Sequence, residues 1–254
     1  MPGRFSPLRV YRAAILLLRD PAEFRRRARR KYFPMSAPSR REYRQRFRLT
    51  LEDWMLYHQT DIVFDQCTWM GVKALKNPLD AWIYQEIIYE VKPDVIVELG
   101  SMWGGSTLYL ANLLDLLGHG QVVSVDIDRE RFSAKHERFV LITGSTTDPE
   151  VIAKVRALCE GKRALFIHDA AHDKPTVLAD LRTYSNLVSV GSYFIVEDGF
   201  GDLFTPGTPI GMGEDGPLPA IEEFTRERPE FVVDKSRERY LLTTNPLGFL
   251  KRTR

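Results

Sequence analysis

Three observations predict an α/β fold, a doubly wound and mostly parallel sheet preceded by an N-terminal helical extension. Short apolar runs rich in β-branched residues recur at Val95–Leu99, Val122–Val125, Phe139–Ile142, Ala164–Ile167 and Tyr193–Val196. Helical patterns at Ser106–Leu117, Pro149–Glu160 and Pro175–Val188 separate them. A glycine-rich turn, Gly100-Ser101-Met102-Trp103-Gly104-Gly105, follows the first run. Runs that are continuously apolar, rather than alternating, belong to strands covered on both faces, and strand–helix alternation makes them parallel.

The chain has 254 residues, 44% hydrophobic and 28% charged, enough for one sizeable core with a small appendage and incompatible with wholesale disorder. Its formal charge of +2 conceals a split. Residues 1–48 hold fifteen Arg/Lys against three Asp/Glu, and the remainder holds 21 against 31. Residues 1–38 therefore read as a basic leader and linker, 39–93 as the helical extension and 94–254 as the sheet domain. The cations of residues 1–32 suit an anionic surface, and a peripheral membrane contact is expected there. No recognition motif or aromatic platform follows them, which argues against nucleic acid. The apolar run Ala13–Leu18 is too short to span a bilayer and lacks a cleavage pattern. Two cysteines, Cys67 and Cys159, without a C-x-x-C pair favour a reducing, cytoplasmic location, with the leader at the inner membrane face.

Within the extension, a helical stretch leads from about residue 40 to Trp54, and Asp80–Val91 spaces Trp82, Ile83, Ile87 and Ile88 for one buried face. Lys92-Pro93-Asp94 stops it. Beyond the fifth run, Gly199–Pro219 carries six Gly and four Pro and reads as a loop or lid. A helix at about Leu218–Glu227 follows, and Phe231–Val233 with Tyr240–Thr243 is expected to form a terminal hairpin.

The glycine turn lacks the Gly-Lys-Ser/Thr ending of a phosphate loop and the Gly-x-Gly-x-x-Gly spacing of a dinucleotide binder. Glu98, two residues before the first glycine, suits a ligand with an amine or a cationic centre. Asp126, ending the second strand, can accept from both hydroxyls of a ribose. Together they favour S-adenosylmethionine (SAM), with Gly100, Ser101, Gly104, Gly105 and Ser106 letting the backbone approach it and Ser145 bordering the base.

The fourth strand runs into His168-Asp169-Ala170-Ala171-His172 and the fifth into Glu197-Asp198. If the two strands are neighbours, Asp169, Glu197 and Asp198 converge, and a hard divalent cation, Mg²⁺, is the natural way to offset their repulsion. Such a cation acidifies and orients a hydroxyl brought to it. His172, three residues past Asp169, is the candidate base. Strand alternation points His168 away from Asp169.

At these residues the chain resembles the cephalosporin hydroxylase/rhamnosyl O-methyltransferase family, over roughly residues 57–252. The resemblance rests on Thr68-Trp69-Met70-Gly71, Asp80 with Tyr84-Gln85-Glu86-Ile87, Glu98-x-Gly100, Gly104-Gly105-Ser106 and Thr146-x-Asp148-Pro149. It continues through Asp169-x-x-His172, Gly191-x-Tyr193-x-x-x-Glu197-Asp198, Pro217-x-x-Ala220-Ile221 and Asn245-Pro246-x-Gly248-Phe249-Leu250. It implies a class I methyltransferase, Rossmann-like fold, Mg²⁺ on Asp169, Glu197 and Asp198 beside SAM, and a homo-oligomer. The rhamnosyl branch implies methyl transfer to a sugar hydroxyl of a glycolipid, polysaccharide or glycosylated natural product. Two features depart from the family: Ala171 stands where many relatives carry a second acid, and 200–216 matches no relative closely enough to name an acceptor. The competing expectations are a hydroxylase with iron on His168, His172 and Asp169, and a catalytically silent SAM-binding assembly protein.

Overall fold

Seven strands hydrogen-bond into one sheet because the five predicted runs pair in parallel and two C-terminal strands extend the edge antiparallel. The computed structural model describes residues 40, 44 and 46–254 apart from 209, 212 and 214. The leader expected at 1–38, and the membrane contact expected of 1–32, lie outside the described residues. The chain divides into two units, Met1–Asp61 and Ile62–Arg254. In the first, helix α1 (Leu51–Tyr57) starts at Thr50, whose Oγ1 accepts from the Asp53 amide at 3.0 Å.

The second unit begins with a small hairpin, β1 (Thr68–Trp69) and β2 (Val72–Lys73), which the sequence did not suggest. Helix α2 (Pro78–Val91) follows, with Asn77 Oδ1 capping the Leu79 amide, Pro78 in the first turn and left-handed Lys92 at its end. Then come β3 (Val95–Leu99), α3 (Gly105–Leu117), β4 (Gln121–Asp126), β5 (Phe139–Thr143), α4 (Pro149–Cys159), β6 (Ala164–His168), α5 (Lys174–Tyr184) and β7 (Tyr193–Val196). Helix α6 (Pro217–Glu227), β8 (Phe231–Val233) and β9 (Phe249–Arg252) close the chain.

The strand order is β5-β4-β3-β6-β7-β9-β8. Alternation along each strand feeds two core layers. Val95, Val97, Leu99, Phe166 and Phe194 pack with α4, α5 and α6, while Ile96, Leu165, Ile167 and Ile195 pack with α2 and α3. The order reverses between β3 and β6, so their carboxyl ends open a crevice at the switch point, where ligands of open α/β sheets bind.

The expected terminal hairpin is corrected: β8 pairs with β9, and Tyr240–Thr243 is not a strand. A buried carboxylate claims that segment instead. Asp80 accepts from Thr243 Oγ1 at 2.6 Å, the Thr244 amide at 2.8 Å and Thr244 Oγ1 at 2.9 Å. The loop expected over 199–219 is also shorter, because Gly199–Leu203 winds into a 3₁₀ turn and α6 starts at Pro217.

Candidate active site

A cavity of about 470 Å³ lies outside the carboxyl ends of β3 and β4, lined among others by Gly100, Ser101, Asp126, Gly144, Ser145 and Asp169. Gly100 makes the crevice possible. It sits at φ 89°, and a Cβ there would come 2.0 Å from the Asp169 carbonyl oxygen, so only glycine lets the two strand ends close up. Asp126 Oδ2 accepts from the Ser101 and Met102 amides, both at 2.8 Å. Burial pushes the Asp126 carboxyl up, but these amides outweigh it and leave the group below its ordinary range. Arg129 ties the floor together, donating to Ser101 Oγ at 2.7 Å, Ser124 O at 2.6 Å and Ile142 O at 2.8 Å.

Glu98 is fully buried on the α3 side of the sheet, and Thr107 Oγ1 donates to its Oε2. Burial raises its pKa to about 7, against the lowering effect of Lys76 and of the Ser106 and Thr107 hydroxyls. Its Oε1 has no partner among the described residues. Buried carboxylate oxygens are seldom left so, and a donor from a ligand is the simplest completion.

Four of the eight expected cofactor residues, Gly100, Ser101, Asp126 and Ser145, line the cavity. Glu98, Gly104, Gly105 and Ser106 do not. Gly104 packs on Phe132 and Ala134, and Gly105 lies so close to the Lys73 carbonyl that a Cβ would approach it to 2.2 Å. Those two glycines serve packing of the turn.

The acid centre lies where β6 and β7 end side by side. The ladder sets its height: the Asp169 amide donates to Leu99 O at 2.7 Å and the Glu197 amide to His168 O at 3.0 Å. Asp198 then turns left-handed at φ 60°. His172 Nε2 lies 3.3 Å from Asp198 Oδ2 and 3.9 Å from Asp169 Oδ1. One ligand atom from each of Asp169, His172 and Asp198 lies within 4.8 Å of the others, a spacing suited to a cation. Burial raises the Asp198 pKa to about 6, with His172 opposing and Asp169 reinforcing.

Glu197, expected with the metal ligands, stands outside that group. Its Oε1 accepts from Lys76 Nζ and, at 2.8 Å, from Tyr84 Oη. Lys76 Nζ also donates to Asp169 Oδ2 at 2.5 Å. Burial lowers the lysine's pKa, but Asp169, Glu197 and Glu98 override it and hold the ammonium above its usual range. Burial and the Asp169 charge push the Glu197 carboxyl up. Asn245 closes the network: its Nδ2 donates to Tyr84 Oη at 3.0 Å and its Oδ1 accepts from the Asp198 amide at 3.2 Å.

His168 turns away from this centre. Its Nδ1 is 3.0 Å from Asp180 Oδ2 and its Nε2 is 3.2 Å from Ala171 O, with both side chains wholly buried. Its ring centroid lies 6.4 Å from that of His172. With both nitrogens engaged, His168 cannot join His172 and Asp169 as an iron ligand.

The sequence reading missed Lys76 and Arg129 altogether and gave Tyr84 and Asn245 no role. Lys76 stands 93 residues from Asp169 and 121 from Glu197. Nothing local marks it except its place just before the Asn77-Pro78 helix start.

The rhamnosyl O-methyltransferase/CmcI family profile matches residues 61–253. The chain is 34% identical over 210 residues to a rhamnosyl O-methyltransferase of Mycobacterium leprae (strain TN), covering 79% of this chain and 90% of that one. It is 32% identical over 211 residues to a rhamnosyl O-methyltransferase of Mycobacterium tuberculosis (strain ATCC 25618 / H37Rv), covering 79% and 84%. Among solved structures, it superposes on a CmcI apo-structure with a TM-score of 0.60 at 22% identity, over 100% of this chain and 98% of that one. On CmcI with Mg-SAM the TM-score is 0.59 at 21% identity, over 98% and 97%. The chain belongs to the rhamnosyl O-methyltransferase/CmcI family and is an O-methyltransferase with the class I methyltransferase fold.

Proposed function

We propose that the protein is a SAM- and Mg²⁺-dependent O-methyltransferase acting on a sugar hydroxyl of a glycolipid, polysaccharide or glycosylated natural product. The observation that carries the proposal is the shared edge: Asp169 lines the Asp126 cavity and also belongs to the acid centre. A methyl donor in the first would face a hydroxyl at the second. The residues fit both groups. The unpartnered Glu98 Oε1 and the Asp126 cavity suit an amine-bearing nucleoside, and the carboxylate oxygens of Asp169 and Asp198 suit a small hard cation with His172 beside them. The sugar acceptor is supported by the relatives named rhamnosyl O-methyltransferase.

Asp126 and Ser145, with the Gly100-Ser101 backbone, would hold the nucleoside half of the cofactor, and Glu98 would face its amine. Asp169 and Asp198, with Glu197 behind them, would hold the cation. When bound, SAM supplies the methyl group and Mg²⁺ lowers the pKa of the acceptor hydroxyl. His172 takes the hydroxyl proton; its Nε2 already faces the acids, and its Nδ1 is buried with no partner among the described residues. Tyr84 holds Glu197 and Asn245 holds Tyr84 and the Asp198 amide, and methyl displacement depends steeply on such alignment. The alternative iron hydroxylase loses support from His168, which is committed to Asp180 and Ala171.

Calorimetry with SAM, with and without Mg²⁺, joined to a methyl-transfer assay on rhamnose-bearing glycolipids, tests the proposal. Absence of SAM binding overturns it, and binding without transfer to any sugar leaves the assembly-protein alternative standing. The proposal extends to a homo-oligomer, checked by light scattering, and to a peripheral contact of residues 1–32 with the inner membrane face. Deleting residues 1–38 should reduce sedimentation with anionic vesicles while sparing transfer to a soluble acceptor; equal sedimentation removes the membrane contact.

A further inference from the structure

We propose that Lys76 is a resident cation that competes with the metal for the acid centre, so that loading Mg²⁺ requires the lysine to release Glu197. The inference rests on the reading of the acid centre as a metal seat. The ammonium bridges two chains of contact. It donates to Asp169 Oδ2 at 2.5 Å and to Glu197 Oε1, while Asp169 Oδ1 faces His172. One carboxylate is thereby shared, its two oxygens pointing to the lysine and to the candidate metal group. Glu197 Oε1 is engaged by Lys76 and by Tyr84, and Glu197 falls outside the group formed by Asp169, His172 and Asp198.

Three carboxylates at adjoining strand ends repel one another unless a positive charge stands among them. Lys76 supplies such a charge, and only 12% of its side chain is exposed, so water screens it weakly. A divalent ion brought among these carboxylates would meet the ammonium as a like charge at short range. The lysine has somewhere to go. It lines a second cavity of about 380 Å³, with Ala74, Ser106, Trp69 and Tyr109 on its walls. A side chain released from Glu197 has that space to enter, which relieves Glu197 of the ammonium. Tyr84 remains to hold Glu197 during the exchange, through its 2.8 Å bond.

The experiment is titration of MgCl₂ into the full-length wild-type, Lys76→Met and Lys76→Arg proteins, followed by calorimetry. Methionine keeps the length and removes the charge, and arginine keeps the charge. Lys76→Met should bind Mg²⁺ at least roughly tenfold more tightly than the wild type, and Lys76→Arg should stay near it. Equal or weaker binding by Lys76→Met overturns the inference and makes the lysine a support for the acids. Should the methionine variant not fold, a crystal structure of the wild type with MgCl₂ decides: Lys76 Nζ withdrawn from Glu197 supports exchange, and a retained contact beside bound Mg²⁺ overturns it. If neither wild type nor variant binds Mg²⁺, the metal seat itself falls; if the wild type binds and the lysine keeps its contact, only this inference falls.

Discussion

The Asp126 cavity and the Lys76 acid centre share one sheet edge but are held by different kinds of partner. Asp126 is clamped by backbone amides of the turn that follows the adjacent strand, and those amides, with Arg129 nearby, hold its carboxyl low. The acids of the second region have few such amides. They depend on side chains from α2 and from the segment before β9, and burial pushes Glu197 and Asp198 up. Backbone clamps suit a pocket that keeps one shape through turnover, while side-chain clamps suit a centre whose charge changes when a cation arrives.

The acid centre should yield the larger effects on turnover. Asp198→Ala is expected to lower kcat by roughly 10³-fold or more while leaving SAM affinity within a few-fold, because Asp198 lies outside the cavity lining. Equal turnover of variant and wild type removes the metal mechanism. Next, His172→Ala should cost about 10²- to 10⁴-fold in kcat, the usual share of a positioned base. Turnover of the variant within a few-fold of the wild type would take the base role away from His172.

On the cavity side, Asp126→Ala loses a carboxylate that both orders the turn and faces the ligand. Its SAM dissociation constant should rise roughly 10- to 100-fold, corresponding to about 1.5–3 kcal/mol, with Mg²⁺ affinity unchanged by calorimetry. A joint loss of both affinities would mean that the two regions are coupled rather than separate.

The prediction furthest from turnover concerns Glu98. Its folded pKa of about 7 lies above the ordinary 4.5, so the folded chain prefers the protonated form. Relative stability is then full below pH 4.5 and is lost as pH rises through 7, by up to roughly 3 kcal/mol. Glu98→Gln should remove this part of the pH dependence in thermal melts of the ligand-free protein. Conversely, SAM affinity of the wild type should increase from pH 6 to 8 as Glu98 ionises, and the glutamine variant should show a flat profile. A flat wild-type profile would take Glu98 away from the cofactor amine.

The two regions also differ in how far they could be read in advance. Val95–Leu99 and Tyr193–Val196 emerge as strands with the expected ends, and Asp126, Asp169 and Asp198 lie at strand ends as anticipated. Each follows from apolar periodicity and from breakers within a dozen residues. Tyr240–Thr243 looked like a strand by the same local criterion and is not one; at its end Asp80, more than 160 residues earlier, takes the Thr243 hydroxyl and the hydroxyl and amide of Thr244. Gly104 and Gly105 looked like cofactor glycines, but only the packed turn shows them facing Phe132 and the Lys73 carbonyl.

By itself the sequence determined the sheet, its parallel order and the edge where chemistry collects, because those depend on hydrophobic pattern and chain stiffness over short spans. Tertiary structure alone decided which carboxylate oxygen faces which cation. Lys76 with Tyr84, Asp169, Glu197 and Asn245 come from four separate segments, and the balance of burial against charge among them exists only once the fold has excluded water.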